Sequence, residues 1–394
     1  MKIELRVLLL VMLILAGVVQ GTVPVCASRY FWVVRDGLTS PESIDALIEN
    51  ASEAGANGLI VQVVGRAEAY YNSSILPLAA FQRNFDPLDY IIMRARPRGM
   101  EVHAWVNAFL VWSAPQPPSD STHIWYSHPD WFIADKYGRS TRDYSRIECE
   151  DKGIVGATLS PAVSEVREYI ADIAVEIATE YNIDGIHLDY IRYPNPSFGF
   201  ESSALDAFYF RTGRDPLDLF RRSGGAEELS ESWSQWKIDQ VTMTVETVRS
   251  ALRSASPETL LSCAVMADPF EAASHYGCDW RYWLSAGLVD FVCTMAYTTD
   301  AAKARELAIL GTGINPSRVI HGIGIYNQPI TSALTGAREA LERGGSGICV
   351  FSLNSLSPDS TWILRNFWGQ TGHPEYPIDS AVFHRVSNEG GTAL

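Results

Sequence analysis

Residues 161–181 read PAVSEVREYIADIAVEIATEY, and residues 182–194 follow as NIDGIHLDYIRYP. In the first stretch the apolar positions 163, 166, 170, 173, 177 and 181 recur at the spacing that sets them on one face of a helix. In the second, Gly185–Ile191 is almost continuously apolar, as strands buried on both faces are. A strand of that kind belongs to a parallel sheet covered by helices. Outward in both directions the alternation repeats. Strands are predicted at Tyr30–Arg35, Gly58–Val64, Glu101–Phe109, Gly185–Ile191, Leu260–Met266, Phe291–Tyr297, Val319–Ile325 and Gly347–Leu353. Helices are predicted at Ile44–Ala54, Leu88–Arg98, Pro161–Tyr181, Trp233–Ala255, Asp279–Ala286, Ala301–Leu310, Ser332–Arg343 and Ser357–Phe367. Ser40-Pro41, Asp86-Pro87, Ser160-Pro161 and Ser357-Pro358 read as capping residues followed by a first-turn proline. Gly55, Gly99 and Gly344 read as stops. Eight such units predict an α/β fold, a (β/α)8 barrel. The rival doubly wound sheet usually has a glycine-rich phosphate turn after its first strand, and Arg35-Asp36-Gly37-Leu38 is not one.

The 394 residues exceed a minimal barrel of about 250. The surplus is expected in three loops that follow strands: 65–86, 110–159 and 194–232. The middle loop carries Trp112, Trp125, Tyr126, Trp131, Phe132, Tyr137 and Tyr144, which can wall a groove or glue the excursion to the barrel. At the amino terminus Lys2 and Arg6 precede an apolar run from Leu8 to Val19 and small residues up to Ala27, the pattern of an export signal over residues 1–27. An uncleaved anchor or a lipid-modified Cys26 are the alternatives. The barrel domain is expected over 28–369, and a loose polar tail over 370–394. A secreted or periplasmic location follows from the signal, with no membrane span in the mature chain.

Composition is that of a globular protein, with 47% hydrophobic and 20% charged residues. A net charge of −15 without a basic run argues against nucleic-acid binding, which needs clustered Lys and Arg. Cys263, Cys293 and Cys349 fall inside apolar strands and read as buried thiols. Cys149 and Cys278 lie in loop or helix-start regions, which leaves a disulfide between them open in an oxidising compartment. No C-x-x-C pair occurs, and neither a metal nor a cofactor is expected.

In a barrel, functional side chains come from the carboxyl ends of the strands. Those ends offer Arg35 and Asp36; Arg66 and Glu68; Trp105 and Asn107; His187, Asp189 and Arg192; Asp268; Tyr297 and Asp300; Tyr326 and Asn327; and Asn354. Acids, amides and aromatics dominate. No Ser-His-Asp arrangement, His-Glu-x-x-His motif or phosphate loop is present. Cleaving a glycosidic bond asks for such a set: one carboxyl protonates the leaving oxygen, and a second stabilises or attacks an oxocarbenium-like centre. An Asp inside an apolar strand is costly unless paired or used, and Arg192 and His187 are plausible partners for Asp189. The bland reading is an Asp that only pairs with Arg192 to close the strand.

Six segments together resemble the bacterial glycosyl-hydrolase-like family 10, glycoside hydrolases on a barrel. They are residues 62–71 (QVVGRAEAYY), 85–89 (FDPLD), 103–107 (HAWVN), 128–131 (HPDW), 184–194 (DGIHLDYIRYP) and 288–297 (LVDFVCTMAY). The resemblance spans roughly Arg29 to Gly369. The first block often reads QVRGRGDAYY in the family, so Val64, Ala67 and Glu68 are departures. The 184–194 segment is also similar to that of the α-amylase family, where an Arg stands two residues before a nucleophilic Asp; His187 and Asp189 occupy those places. Chitinase-like relatives carry an acid two residues beyond that Asp, and here the residue is Ile191.

The resemblance implies an exported glycoside hydrolase acting on a polysaccharide such as a cell-wall glycan. Asp189 is expected as nucleophile, or as base if the enzyme inverts, and Asp268 as acid. Arg66, Glu68, Trp105, Asn107, His187, Arg192, Tyr297, Asp300 and Asn327 are expected around the sugar. Asp268 precedes Pro269, so a helix cap is its competing reading; Asp300 and Glu68 are the other candidates for the acid. His103 is expected in the barrel floor. A non-catalytic carbohydrate-binding barrel is the alternative from another class. A metal-dependent deacetylase would want clustered ligands, and the 8 His are scattered.

Overall fold

A computed structural model describes residues 27–81, 84–221 and 226–370. Nearly all of the expected export signal, and the tail beyond residue 370, lie outside the described residues. The eight strands are β1 Ser28–Val33, β2 Gly58–Gly65, β3 Glu101–Asn107, β4 Gly185–Asp189, β5 Leu260–Met266, β6 Phe291–Met295, β7 Val319–Gly324 and β8 Gly347–Phe351. Each is parallel to its neighbours, and β1 pairs with both β2 and β8, so the sheet closes into a barrel.

Around it run α1 Pro41–Glu53, α2 Pro87–Ala95, α3 Ser164–Glu180, α4 Ala226–Ala255, α5 Pro269–Tyr276, α6 Trp280–Ser285, α7 Ala301–Ile314, α8 Ile330–Glu342 and α9 Pro358–Gln370. The α1 cap is Ser40, whose Oγ accepts the Ser43 amide at 3.2 Å. Asp86 Oδ1 caps α2 through the Leu88 and Asp89 amides at 2.9 and 3.2 Å. The expected start at Ser160-Pro161 moves to Ser164. Ser160 is buried, and its hydroxyl donates to the Glu201 carboxylate instead of opening the helix.

Strand residues alternate between two cores. Odd members of β1 and β2, such as Phe31, Val33, Leu59 and Val61, pack outward against the helices. Even members point into the barrel, where Tyr30, Trp32, Ile60, Trp105, Ala264, Cys293 and Cys349 form a separate inner cluster. Cys149 and Cys278 are separate buried thiols, so the anticipated disulfide between them is not formed; burial raises both. No helix among the described residues is long and apolar enough to cross a membrane.

Candidate active site

The inward-facing residues at the carboxyl ends of β1 to β8 enclose a cavity of about 410 Å³. Asp189, the last residue of β4, stands in its wall beside Asn107 of β3, which is its register partner. Asp189 is 7% exposed. Its Oδ1 accepts the Tyr190 amide at 2.6 Å and lies 3.4 Å from Arg192 Nη1. Burial pushes the Asp189 carboxyl above the usual carboxylate range. Arg192, the Tyr190 amide and the Trp105 indole oppose that shift without overcoming it. Tyr190 takes φ 51°, a left-handed backbone that a bulky residue adopts only when its surroundings enforce it.

A chain of side-chain contacts orients the amides beside it. The backbone amide of Arg35 donates to Gln62 Oε1 at 3.3 Å, which leaves the Gln62 NH2 to donate to Asn107 Oδ1 at 3.4 Å. The Trp105 indole donates to the same oxygen at 2.9 Å. With Oδ1 so occupied, the Asn107 NH2 is the part free to donate to a ligand. Opposite, Tyr297 stacks on Phe351 at 5.4 Å and meets Trp32 edge-on at 6.1 Å. The cavity therefore combines apolar ring faces with polar groups, as a sugar site needs.

After β2 the chain turns in a hairpin: Gly65 pairs with Glu68 across Arg66-Ala67, whose φ values are 61° and 50°. Such a turn favours Asn and Gly at both positions. Holding Arg and Ala there costs about 1 kcal/mol or more each. Three contacts fix it: buried His123 donates through Nε2 to the Arg66 carbonyl at 2.8 Å, Arg66 Nε donates to Ser113 Oγ at 3.2 Å, and the guanidinium lies 5.7 Å from the Trp112 ring centre. The Glu68 carboxyl is half-buried, and burial raises it even against Arg66 and Arg35.

Beyond Ser113 and Val155 the cavity adjoins a second one of about 270 Å³, walled by Trp112, Trp125 and Tyr144 with Arg142. Thus three of the seven aromatics of the 110–159 loop reach a ligand-sized space.

Of the residues expected around a sugar, Arg66, Trp105, Asn107, Asp189, Arg192 and Tyr297 line the same cavity. Glu68 lies in the hairpin two residues beyond Arg66 and does not line the cavity. His187 lies a layer deeper. It is fully buried, accepts from the Trp32 indole at 3.4 Å and meets Ser262 Oγ at 2.9 Å, and is not the partner of Asp189. Burial pushes its imidazole down to about 3. Asp268 is a helix cap: its Oδ1 accepts the Phe270 and Glu271 amides at 2.9 and 3.1 Å, and it does not line the cavity. Asp300 caps α7 in the same way and is exposed. Asn327 is exposed outside the cavity, and its neighbour Tyr326 lines it instead. Trp32, Gln62, Tyr190 and Phe351 were not expected at the site. Gln62 is the one that had a signal, a lone amide in an apolar strand. Asp189 is the only carboxylate lining this cavity among the described residues.

The profile of the Glycosyl hydrolase-like 10 family matches residues 27–335. Glycosyl hydrolase YngK of Bacillus subtilis is 22% identical over 306 residues, which cover 71% of this chain and 54% of that protein. Glycosyl hydrolase DigH of Escherichia coli is 23% identical over 316 residues, 71% of this chain and 64% of the relative. This chain thus spans between half and two thirds of their lengths. Among solved structures, the glycoside hydrolase domain of PgaB (BpsB) from Bordetella bronchiseptica superposes with a TM-score of 0.66 at 16% identity. That match covers 86% of this chain and 98% of the domain.

Proposed function

The chain belongs to the Glycosyl hydrolase-like 10 family, and from that premise we propose that it hydrolyses O-glycosidic bonds of a polysaccharide outside the cytoplasm. The observation that carries this reading is Asp189. It is a carboxyl in the wall of a ring-lined cavity, raised by burial, beside an oriented amide donor. A carboxyl raised in this way keeps its proton to higher pH and suits donation to a leaving oxygen. Asp189 is therefore assigned as the general acid rather than as the nucleophile. Glu68 is the second carboxyl. Burial raises it on balance and the two guanidiniums, Arg66 first, work against that shift; in this reading it takes the electron-rich role at the anomeric centre once it has lost its proton. Asn107 and Tyr297 would hold sugar hydroxyls. The basic-then-apolar amino terminus supports export.

A second reading is a carbohydrate-binding barrel without catalysis. It is favoured by the absence of any other carboxylate in the cavity wall among the described residues, and by the Asp189–Arg192 pair. The experiment that separates them is a glycan panel with product analysis, run on wild type, Asp189→Asn and Glu68→Gln. Hydrolysis by wild type that falls by about 10²- to 10⁴-fold in Asp189→Asn supports the enzyme. Binding without hydrolysis by wild type supports the binding barrel.

A further inference from the structure

We propose that the cavity takes an acidic glycan and that Arg35 and Arg66 form the subsite for its anionic substituent. This deepens the reading that the cavity binds a polysaccharide and rests on it. The chain holds 46 acidic against 31 basic residues, yet neither of these two guanidiniums makes an ion pair with a carboxylate among the described residues. Both line the cavity, and burial and then the neighbouring Arg35 charge disfavour the charged form of Arg66, with Glu68 of the same hairpin working the other way.

Arg66 spends only Nε within the protein, on Ser113, so its two terminal nitrogens have no protein acceptor among the described residues. The backbone that presents it is left-handed at two successive non-glycine residues and is held by a buried histidine. Strain retained in that way concentrates where a side chain must be aimed. Arg35 is brought alongside by Gly65. A Cβ there would lie 2.6 Å from Arg35 Nη1 and 2.9 Å from its Cδ, so the missing side chain is the space the arginine occupies.

Two like charges gathered in a half-buried wall are stabilised when an anion bridges them. The planar fork of a guanidinium matches a carboxylate with two parallel hydrogen bonds. The ligand is therefore a glycan bearing carboxylates, such as a uronic-acid polymer.

The test uses full-length Asp189→Asn, which separates binding from cleavage. Its affinity is measured for a panel of uronic-acid polysaccharides, each beside its carboxyl-reduced neutral form, and for a phosphate-substituted glycan. The expected result is binding at least tenfold tighter to one or more carboxylated polymers than to the reduced partner, with the preference lost in Asp189→Asn/Arg66→Asn. Asparagine tolerates the left-handed turn, so this variant keeps the fold, and an unchanged thermal melt verifies it. Arg35→Gln in the same background provides the second reading. Equal binding of acidic and neutral forms, a preference that survives both substitutions, tight binding of the phosphate glycan alone, or no binding to any acidic member overturns the proposal. Cleavage of neutral glycans without charge preference would sink the subsite and leave the hydrolase standing. Acid-selective binding without cleavage by wild type would do the reverse.

Discussion

Asp189 carries its charge in a place that resists it, and two consequences follow. A carboxyl whose folded pKa is raised above the unfolded one favours the folded state at pH below the unfolded value, and that contribution is lost as pH rises through the folded value. Asp189→Asn therefore removes a burial penalty at pH 7 but also the partner of Arg192, so its melting temperature should stay within a few degrees of wild type while hydrolysis collapses. Calorimetry and an activity assay on one sample check both. The rate should also fall on the alkaline side as the acid loses its proton, at a pH above the ordinary Asp value, and kcat against pH reads that limb. A different effect is expected at Ser262, whose hydroxyl accepts from His187. Ser262→Ala leaves a buried ring N–H without its partner and should cost about 1–3 kcal/mol in urea unfolding. At this scale the sequence was readable where a polar residue interrupts an apolar strand end, as with Asn107 and Asp189. At Asp268 it offered a helix cap beside the acid and left Asp300 as a further candidate, and both prove to be caps. An Asp before a helix has the same spelling whether it caps amides or meets a substrate, and only placement separates the two.

The elements show the same division. All eight strands were legible, because continuous apolar runs between capped helices have few other homes; the ends moved by two residues or so, as from Tyr30–Arg35 to Ser28–Val33. The helix Pro269–Tyr276 was legible only at its start, in the Asp268-Pro269 cap pattern, and its eight residues show no clear apolar face of their own. Inward-facing Trp32 and Phe351 were hidden for a related reason. In a strand apolar on both faces, nothing in the spacing says which side is the cavity. The hairpin after β2 makes its own prediction. Ala67→Gly removes one left-handed penalty, against the entropy that glycine adds to the unfolded chain. A Tm unchanged or raised by a degree or two, with glycan binding intact, is the expected outcome. Gly65→Ala in the same hairpin should do the opposite, displacing Arg35 and costing about 1–3 kcal/mol through overpacking.

Over the whole molecule, acid sensitivity is set in the interior. His187 and His321 are buried and neutral, with burial pushing them down to about 3 and about 4. The unfolded chain binds those protons near the ordinary histidine value, so stability must fall as pH drops from about 6.5 toward 4. Each imidazole contributes up to about 1.4 kcal/mol per pH unit. Urea midpoints at pH 7 and pH 5 should show the loss, and His321→Asn should flatten it. The closed ring has a further consequence for how the molecule comes into being. Ser28–Val33 hydrogen-bonds to Gly347–Phe351, and the Trp368 indole reaches back to the Ala54 carbonyl at 2.9 Å, so the earliest strand waits for the latest. During synthesis that first strand has one bare flank for more than three hundred residues, an invitation to aggregation that only the final unit withdraws. Chains cut short before Gly347 should accordingly precipitate rather than persist as partial barrels.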